Sequence, residues 1–410
     1  MKKKWHKLDN VGKFYSSIAF KSTQKAFRYS VTLKRYVKRE VLQEALNKTI
    51  KYYHNFNVYL KQGIFWYYTL ESEEVGKVVK EDLPICYKLY DNGNDLLYRV
   101  SYYKKRINFE LSHIISDGLG SLEFFKLLIN NYIDIRYNLN IDNIYKKVPI
   151  KELEEDSFLK NYKKNNKSTK TYKNIFSYKG EKYKDHIQYL EAHLNLKDVI
   201  ELAHEYNTSL TVFLTAVLIY SFKSSVRECN YKKNIKIDVP VNLRNYYKSN
   251  SSKNYFALVS VVYKLEKETE LADIIKSVGE QLKEVLSEEE IFIRVNKLVA
   301  FEKNIFCRMS PLFMKNIFLK ATNHFTTYMN STVISNVGKI EFHEKVNKYI
   351  ENVNVITNTS TFQLALCSFN DDLSINISNV YKNNKVIKNF IRFFSKNNLK
   401  VLINANEVRK

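Results

Sequence analysis

Between Asp95 and Ile135 the apolar side chains switch within a few residues from a spacing of two to that of a helix, which fixes a strand, tight loop, helix unit early in the chain. Leu96, Tyr98 and Val100 alternate, a basic turn Lys104-Lys105-Arg106 follows, and Ile107, Phe109 and Leu111 resume the alternation, so a hairpin is predicted. Continuing the alternation puts His113 on the face of Ile107, Phe109 and Leu111. The strand breaks at Ser116-Asp117-Gly118. Leu122, Phe124, Phe125, Leu128, Ile129 and Ile133 then share one helical face, with Ser121 as the predicted N-cap.

Other elements follow by the same reasoning. Val41, Leu42, Ala45, Leu46, Ile50 and Tyr53 have helical spacing, and FNVYL and GIFWYYTL read as short strands around Gly63. From about 138 to 184 periodicity is lost and Lys, Asn and Ser accumulate, so this stretch is the expected crossover between two halves, 1–184 and 185–410. Beyond it, HIQYLEAHL reads as a strand, LKDVIELAHEY and LTVFLTAVLIYSFKSS as helices, and IKIDVPV as a strand whose end Pro240 marks. Helical patterns fill about 268–320, STVISNVG is a strand, FQLALCSF and LSINISNV form a hairpin turned at Asn370-Asp371, and VIKNFIRFFSKN is a last helix. The order of elements predicts an α/β protein of two similar halves.

Composition narrows the function. With 45% hydrophobic residues a chain of 410 can bury a large core, and 9 Gly and 4 Pro exclude collagen-like and Gly-rich phosphate-loop designs. The net charge of +23 fits nucleic acid, an anionic membrane surface or acidic small ligands, but the lysines are scattered. Lys163, Lys164, Lys167, Lys170 and Lys173 read as a solvated connecting segment, and no nucleic-acid motif accompanies them. Cys86, Cys229, Cys307 and Cys367 stand far apart without CxxC or metal-spaced His, so neither zinc nor a disulfide framework is expected. The longest apolar run, Val212 to Tyr220, is too short to cross a bilayer, and a soluble cytoplasmic protein is expected, with oligomeric state open.

No HExxH, GxSxG, Walker A or GxGxxG is present. Of the eight histidines only His113 has neighbours that suggest chemistry. A general base must titrate near neutral pH and be held still and partly desolvated, as a histidine ending a buried-face strand is. Asp117, four residues on across a tight turn, would fix the loop or pair with a distant arginine, and Gly118 would let the loop close without a side chain. The alternative is a core histidine with Asp117 capping a turn.

SHIISDG followed by LGSLEFFKLL resembles the HxxxDG loop and helix of the CoA-dependent acyltransferase superfamily, which includes chloramphenicol acetyltransferase, condensation domains, wax ester synthases and alcohol acetyltransferases. LQEALNKTIKYYHNFNVYLKQGIFWYY, DVPVNLRNYY and ISNVGKI agree in order and spacing, so the resemblance covers essentially the whole chain and is nearest to the alcohol acetyltransferase-like branch of Firmicutes. Two departures stand out. Ser112 occupies the first-histidine position of condensation domains, and Ser335-Asn336-Val337-Gly338 stands where plant enzymes carry DFGWG and is similar to the SNVPG of wax ester synthases without its proline.

The resemblance implies two chloramphenicol-acetyltransferase-like halves forming a V with a central tunnel, acyl-CoA as co-substrate, no permanently bound cofactor or metal, and an alcohol or amine acceptor. It implies His113 as general base, Asp117 and Gly118 as loop-shaping residues, Arg244 as the partner of Asp117 and part of the substrate site, and Ser335 and Asn336 as donors to the oxyanion or pantetheine. Phe65, Trp66, Tyr255 and Phe256 are candidate channel residues. Longer-chain wax-ester or lipid synthesis with peripheral membrane contact, a non-catalytic thioester or carrier-protein binder, and a basic nucleic-acid binder stand as alternatives.

Overall fold

The computed structural model describes every residue except 1–3, 20–23, 92, 143–144, 146, 166, 185–186, 224–232, 328 and 407–410. Cys229 and the first residue of the expected strand HIQYLEAHL lie outside the described residues. In chain order the strands are β1 (Trp5–Lys7), β2 (Ala26–Leu33), β3 (Val58–Gln62), β4 (Tyr67–Glu71), β5 (Val79–Lys80), β6 (Tyr98–Tyr103) and β7 (Arg106–Ser112). They continue with β8 (Gln188–Asn195), β9 (Asn234–Asn242), β10 (Phe256–Lys264), β11 (Thr332–Lys339), β12 (Ile350–Thr357), β13 (Phe362–Phe369), β14 (Asp372–Asn379) and β15 (Leu402–Ala405).

Three sheets result, with strand orders β1-β4-β3, β12-β2-β7-β6-β5 and β10-β9-β11-β13-β14-β8-β15. The five-stranded sheet is built on the predicted β6–β7 hairpin, yet its edge is β12, which comes from beyond residue 185 and pairs antiparallel with β2. The sheet that carries β7 therefore takes an edge strand from the far end of the chain. Ile107, Phe109 and Leu111 of β7 face an apolar core, while Asn108 and Glu110 on the opposite face are also fully buried. Glu110 tolerates this because Arg28 and Arg99 hold its carboxylate, at 2.7 and 3.2 Å. The layer continues across the sheets, where Arg106 grips Glu191 of β8 through two 2.7 Å bonds.

The helix Leu210–Phe222, apolar all round, is the heart of the second core, packed against helices Leu271–Val285 and Lys385–Lys396. Its sequence is the long apolar run, and among the described residues no helix is long and apolar enough to cross a membrane. The 138–184 crossover is largely irregular, with short helices Ile150–Leu153 and Ser157–Lys160.

Pro240 sits inside β9 opposite Leu258 of β10 rather than beyond the strand's end. It is tolerated because β11 touches β9 only at Ile237 and Asp238, so past that point the other edge of β9 has no strand to pair with. That splay leaves a gap in the seven-stranded sheet.

Candidate active site

The gap opens into a cavity of about 260 Å3 lined by residues from two distant stretches of the chain, Tyr15 to Leu119 and Pro240 to Ala365. His113, Phe27, Tyr15 and Lys25 come from the earlier stretch, and Pro240, Phe256, Leu258 and Ser335 from the later one. His113 follows β7 directly, its N–H bonded to the Lys25 carbonyl at 3.0 Å. Its ring lies 4.7 Å from that of Phe27, 5.3 Å from Tyr15 and 6.3 Å from Phe256.

Burial among these rings pulls the His113 pKa down to about 4. Asp117 pushes the other way and Lys25 assists the fall, but desolvation dominates. Nδ1 is enclosed without a hydrogen bond of good geometry, which leaves Nε2 as the nitrogen that can meet a substrate. The imidazole is thus neutral, and a proton acceptor, throughout the physiological range.

Asp117, not the expected Ser121, is the N-cap of the helix Gly118–Tyr137, because that helix starts four residues earlier than the apolar pattern indicates. One carboxylate oxygen accepts from Gly120 N and the other from Tyr255 N at 2.6 Å. Arg244 Nη1 lies 3.0 Å from Oδ2. The remaining guanidinium donors of Arg244 go to the carbonyls of Ser251 and Lys253, at 2.9 and 2.7 Å from Nη2. Although Arg244 borders the cavity, its hydrogen bonds are therefore already made to the protein.

The loop closure assigned to Gly118 is shared with Gly120. A Cβ at Gly118 would stand 3.3 Å from the Tyr29 hydroxyl, whereas one at Gly120 would meet the Ser252 carbonyl at 2.5 Å. The segment 251–255 presses on the loop along its length: Ser116 Oγ donates to Ser252 O, and Asn254 Nδ2 donates to His113 O at 3.0 Å. Asn254 in turn is held by Asp9, which caps the helix Asn10–Ile18 and whose pKa burial raises to about 6.

Ser335 lines the cavity on β11. The Asn336 amide donates to Thr211 Oγ1 at 3.1 Å, and its carbonyl accepts from Gly338 N at 2.9 Å, closing a bulge in which Gly338 has φ +84°. Asn336 thus shapes the bend of β11. Of the candidate aromatics, Phe256 faces the cavity, Tyr255 is core, and Phe65 and Trp66 stand at the β3–β4 turn beside Lys315. Lys25 is the main residue that sequence reasoning missed; burial pulls its amine down to about 8. A separate cluster joins His6 to Glu71 at 2.8 Å and to Glu154 at 3.3 Å, with Lys4 also on Glu154.

The chain has the two-lobed fold of CoA-dependent acyltransferases and condensation domains. It is similar to Fusarium sporotrichioides TRI101 complexed with coenzyme A and T-2, at TM-score 0.65 and 11% identity over 97% of this chain and 99% of that one. It is also similar to TRI3 trichothecene 15-O-acetyltransferase from the same fungus, at TM-score 0.61 and 11% identity over 95% and 94%. The first condensation domain of the CDA synthetase aligns at TM-score 0.60 and 10% identity over 96% and 95%. No protein-family profile matches the sequence, and no curated protein matches it.

Proposed function

We propose that the protein is an acyltransferase that moves an acyl group from a thioester, acyl-CoA, to the hydroxyl or amine of a small acceptor, most like an alcohol O-acetyltransferase. The observation that supports this best is His113: a neutral imidazole with one nitrogen enclosed, standing in a cavity that both halves wall. Nε2 takes the acceptor's proton as its oxygen or nitrogen attacks the thioester carbonyl. The tetrahedral intermediate then collapses, the C–S bond breaks, and the imidazolium returns the proton to the departing thiolate. No bond between enzyme and acyl group is required.

In this reading Asp117 and Arg244 position the loop, and Ser335 donates to the oxyanion or the pantetheine. The two halves, 1–184 and 185–410, act as the two walls, with β12 exchanged between them. TRI101 was solved with coenzyme A and TRI3 is a 15-O-acetyltransferase, which favours CoA and a hydroxyl over a carrier-bound donor. A longer-chain wax-ester or lipid-type transferase is the second reading, favoured by the apolar walls Phe27, Phe256, Leu258 and Val355. Incubation with acetyl-, butyryl- and palmitoyl-CoA, following thiol release with and without pooled alcohols and amines, tests donor and acceptor together. Absence of acceptor-dependent thiol release from every donor would overturn the proposal.

A further inference from the structure

The helix Leu312–Thr327 is inside out. Leu312, Lys315 and Leu319 face the protein, while Phe313, Met314, Ile317 and Phe325 face outward with exposures between 52% and 68%. Soluble surface helices put their apolar stripe inward. The inward lysine is accommodated by carbonyls: Lys315 Nζ donates to Phe65 O at 2.9 Å and Arg308 O at 3.2 Å, and lies 4.1 Å over the Trp66 ring. The same face extends through Phe306, 80% exposed on the helix Ile305–Met309, and Ile64, 79% exposed, whose carbonyl accepts from Leu312 N. So much contiguous exposed apolar surface marks an interaction site.

Charge identifies the occupant. Between Glu302 and Glu341 the sequence holds no acidic residue, while Lys303 and Arg308, both exposed, and Lys320 of the helix fall within it. A second copy of a chain with net charge +23 would bring the same sign to the contact. An anionic lipid surface satisfies both features, taking the aromatic and aliphatic tips into its headgroup–acyl boundary and the cations at its phosphates. A 16-residue helix carrying lysines lies in that plane rather than crossing it. We propose that the face formed by Ile305–Met309, Leu312–Thr327 and the β3–β4 turn docks the protein on an anionic bilayer. The geometry gives this a use. The helix Leu312–Thr327 packs on Asn10–Ile18, which contributes Tyr15 to the cavity wall, so the docking face is one helix away from His113.

Flotation of the full chain with vesicles tests this without reference to activity. The wild type is expected to float with phosphatidylcholine vesicles containing phosphatidylglycerol and to stay largely behind with phosphatidylcholine alone. The double variant Phe313→Ser with Ile317→Ser removes two exposed tips, so its melting temperature should hold while its partitioning falls on the order of tenfold or more. Arg308→Glu with Lys303→Glu should lose the preference for phosphatidylglycerol. Equal flotation of the apolar variant and the wild type, or indifference of the wild type to phosphatidylglycerol, would overturn the proposal. So would a dimer in sedimentation velocity that the Phe313/Ile317 variant dissolves, since the face would then belong to a second copy.

Discussion

At His113 two effects of burial meet: a neutral ring is the form a base needs, and a ring in contact with Phe27 and Tyr15 cannot be protonated cheaply. His113→Ala should keep the fold and lower transfer on the order of a hundredfold or more, read as kcat on the true acceptor. With the pKa near 4, kcat/KM should show no acid limb of His113 until well below pH 6. Lys25 helps hold that value down, so Lys25→Met should move the limb upward, and an unmoved limb would detach Lys25 from the histidine's electrostatics. The same depression bears on stability. The unfolded imidazole takes its proton near pH 6.5 and the folded one near 4, so stability is full above 6.5 and is lost as pH falls through that window. His113→Phe should flatten this part of the pH–stability curve.

At the level of elements, the HxxxDG loop is a strand end and a helix start clamped by a segment more than a hundred residues away. Asp117 accepts from Gly120, Tyr255 and Arg244 together, so Asp117→Ala leaves a half-buried guanidinium facing no charge and should cost about 3 kcal/mol. The double change with Arg244→Ala should cost less than the two singles added, and additive losses in denaturant melts would break the pairing. Gly120→Ala, with the Ser252 carbonyl at 2.5 Å from the new Cβ, should lower both melting temperature and kcat more than Gly118→Ala, whose neighbour is the Tyr29 hydroxyl at 3.3 Å. The hairpin, the loop and the following helix were legible in the sequence because their contacts are local and their periods are 2 and 3.6. The cap was misplaced by four residues because Gly118, Leu119 and Gly120 carry no helical pattern. Nothing local announces Asn254 or β12, since each takes its meaning from a partner in the other half.

Across the whole molecule β12 decides how the halves relate. Pairing with β2 and lying against β13 and β14, it ties the five-stranded sheet to the seven-stranded one, and Arg106–Glu191 and the 251–255 segment add polar ties. Scanning calorimetry should therefore show the halves unfolding in one transition; two resolved transitions would mean that the exchange does not couple them. The charge of +23 acts at the same scale. Two Lys–Glu pairs of the connecting segment, Lys167–Glu289 and Lys170–Glu284, are fully exposed and contribute little to stability, so the excess bears on what approaches the protein more than on how it folds. If it attracts the phosphates of CoA, the KM for acyl-CoA should rise with ionic strength while kcat stays level, because salt screens long-range attraction and not proton transfer at an enclosed imidazole. Acyl-pantetheine, which lacks the nucleotide phosphates, should bind more weakly and respond little to salt. A protein that used its charge on nucleic acid would instead show salt-sensitive duplex affinity without thiol release. Equal, salt-independent KM values for the two thioesters would separate the charge from the donor and leave the lipid surface as its remaining use.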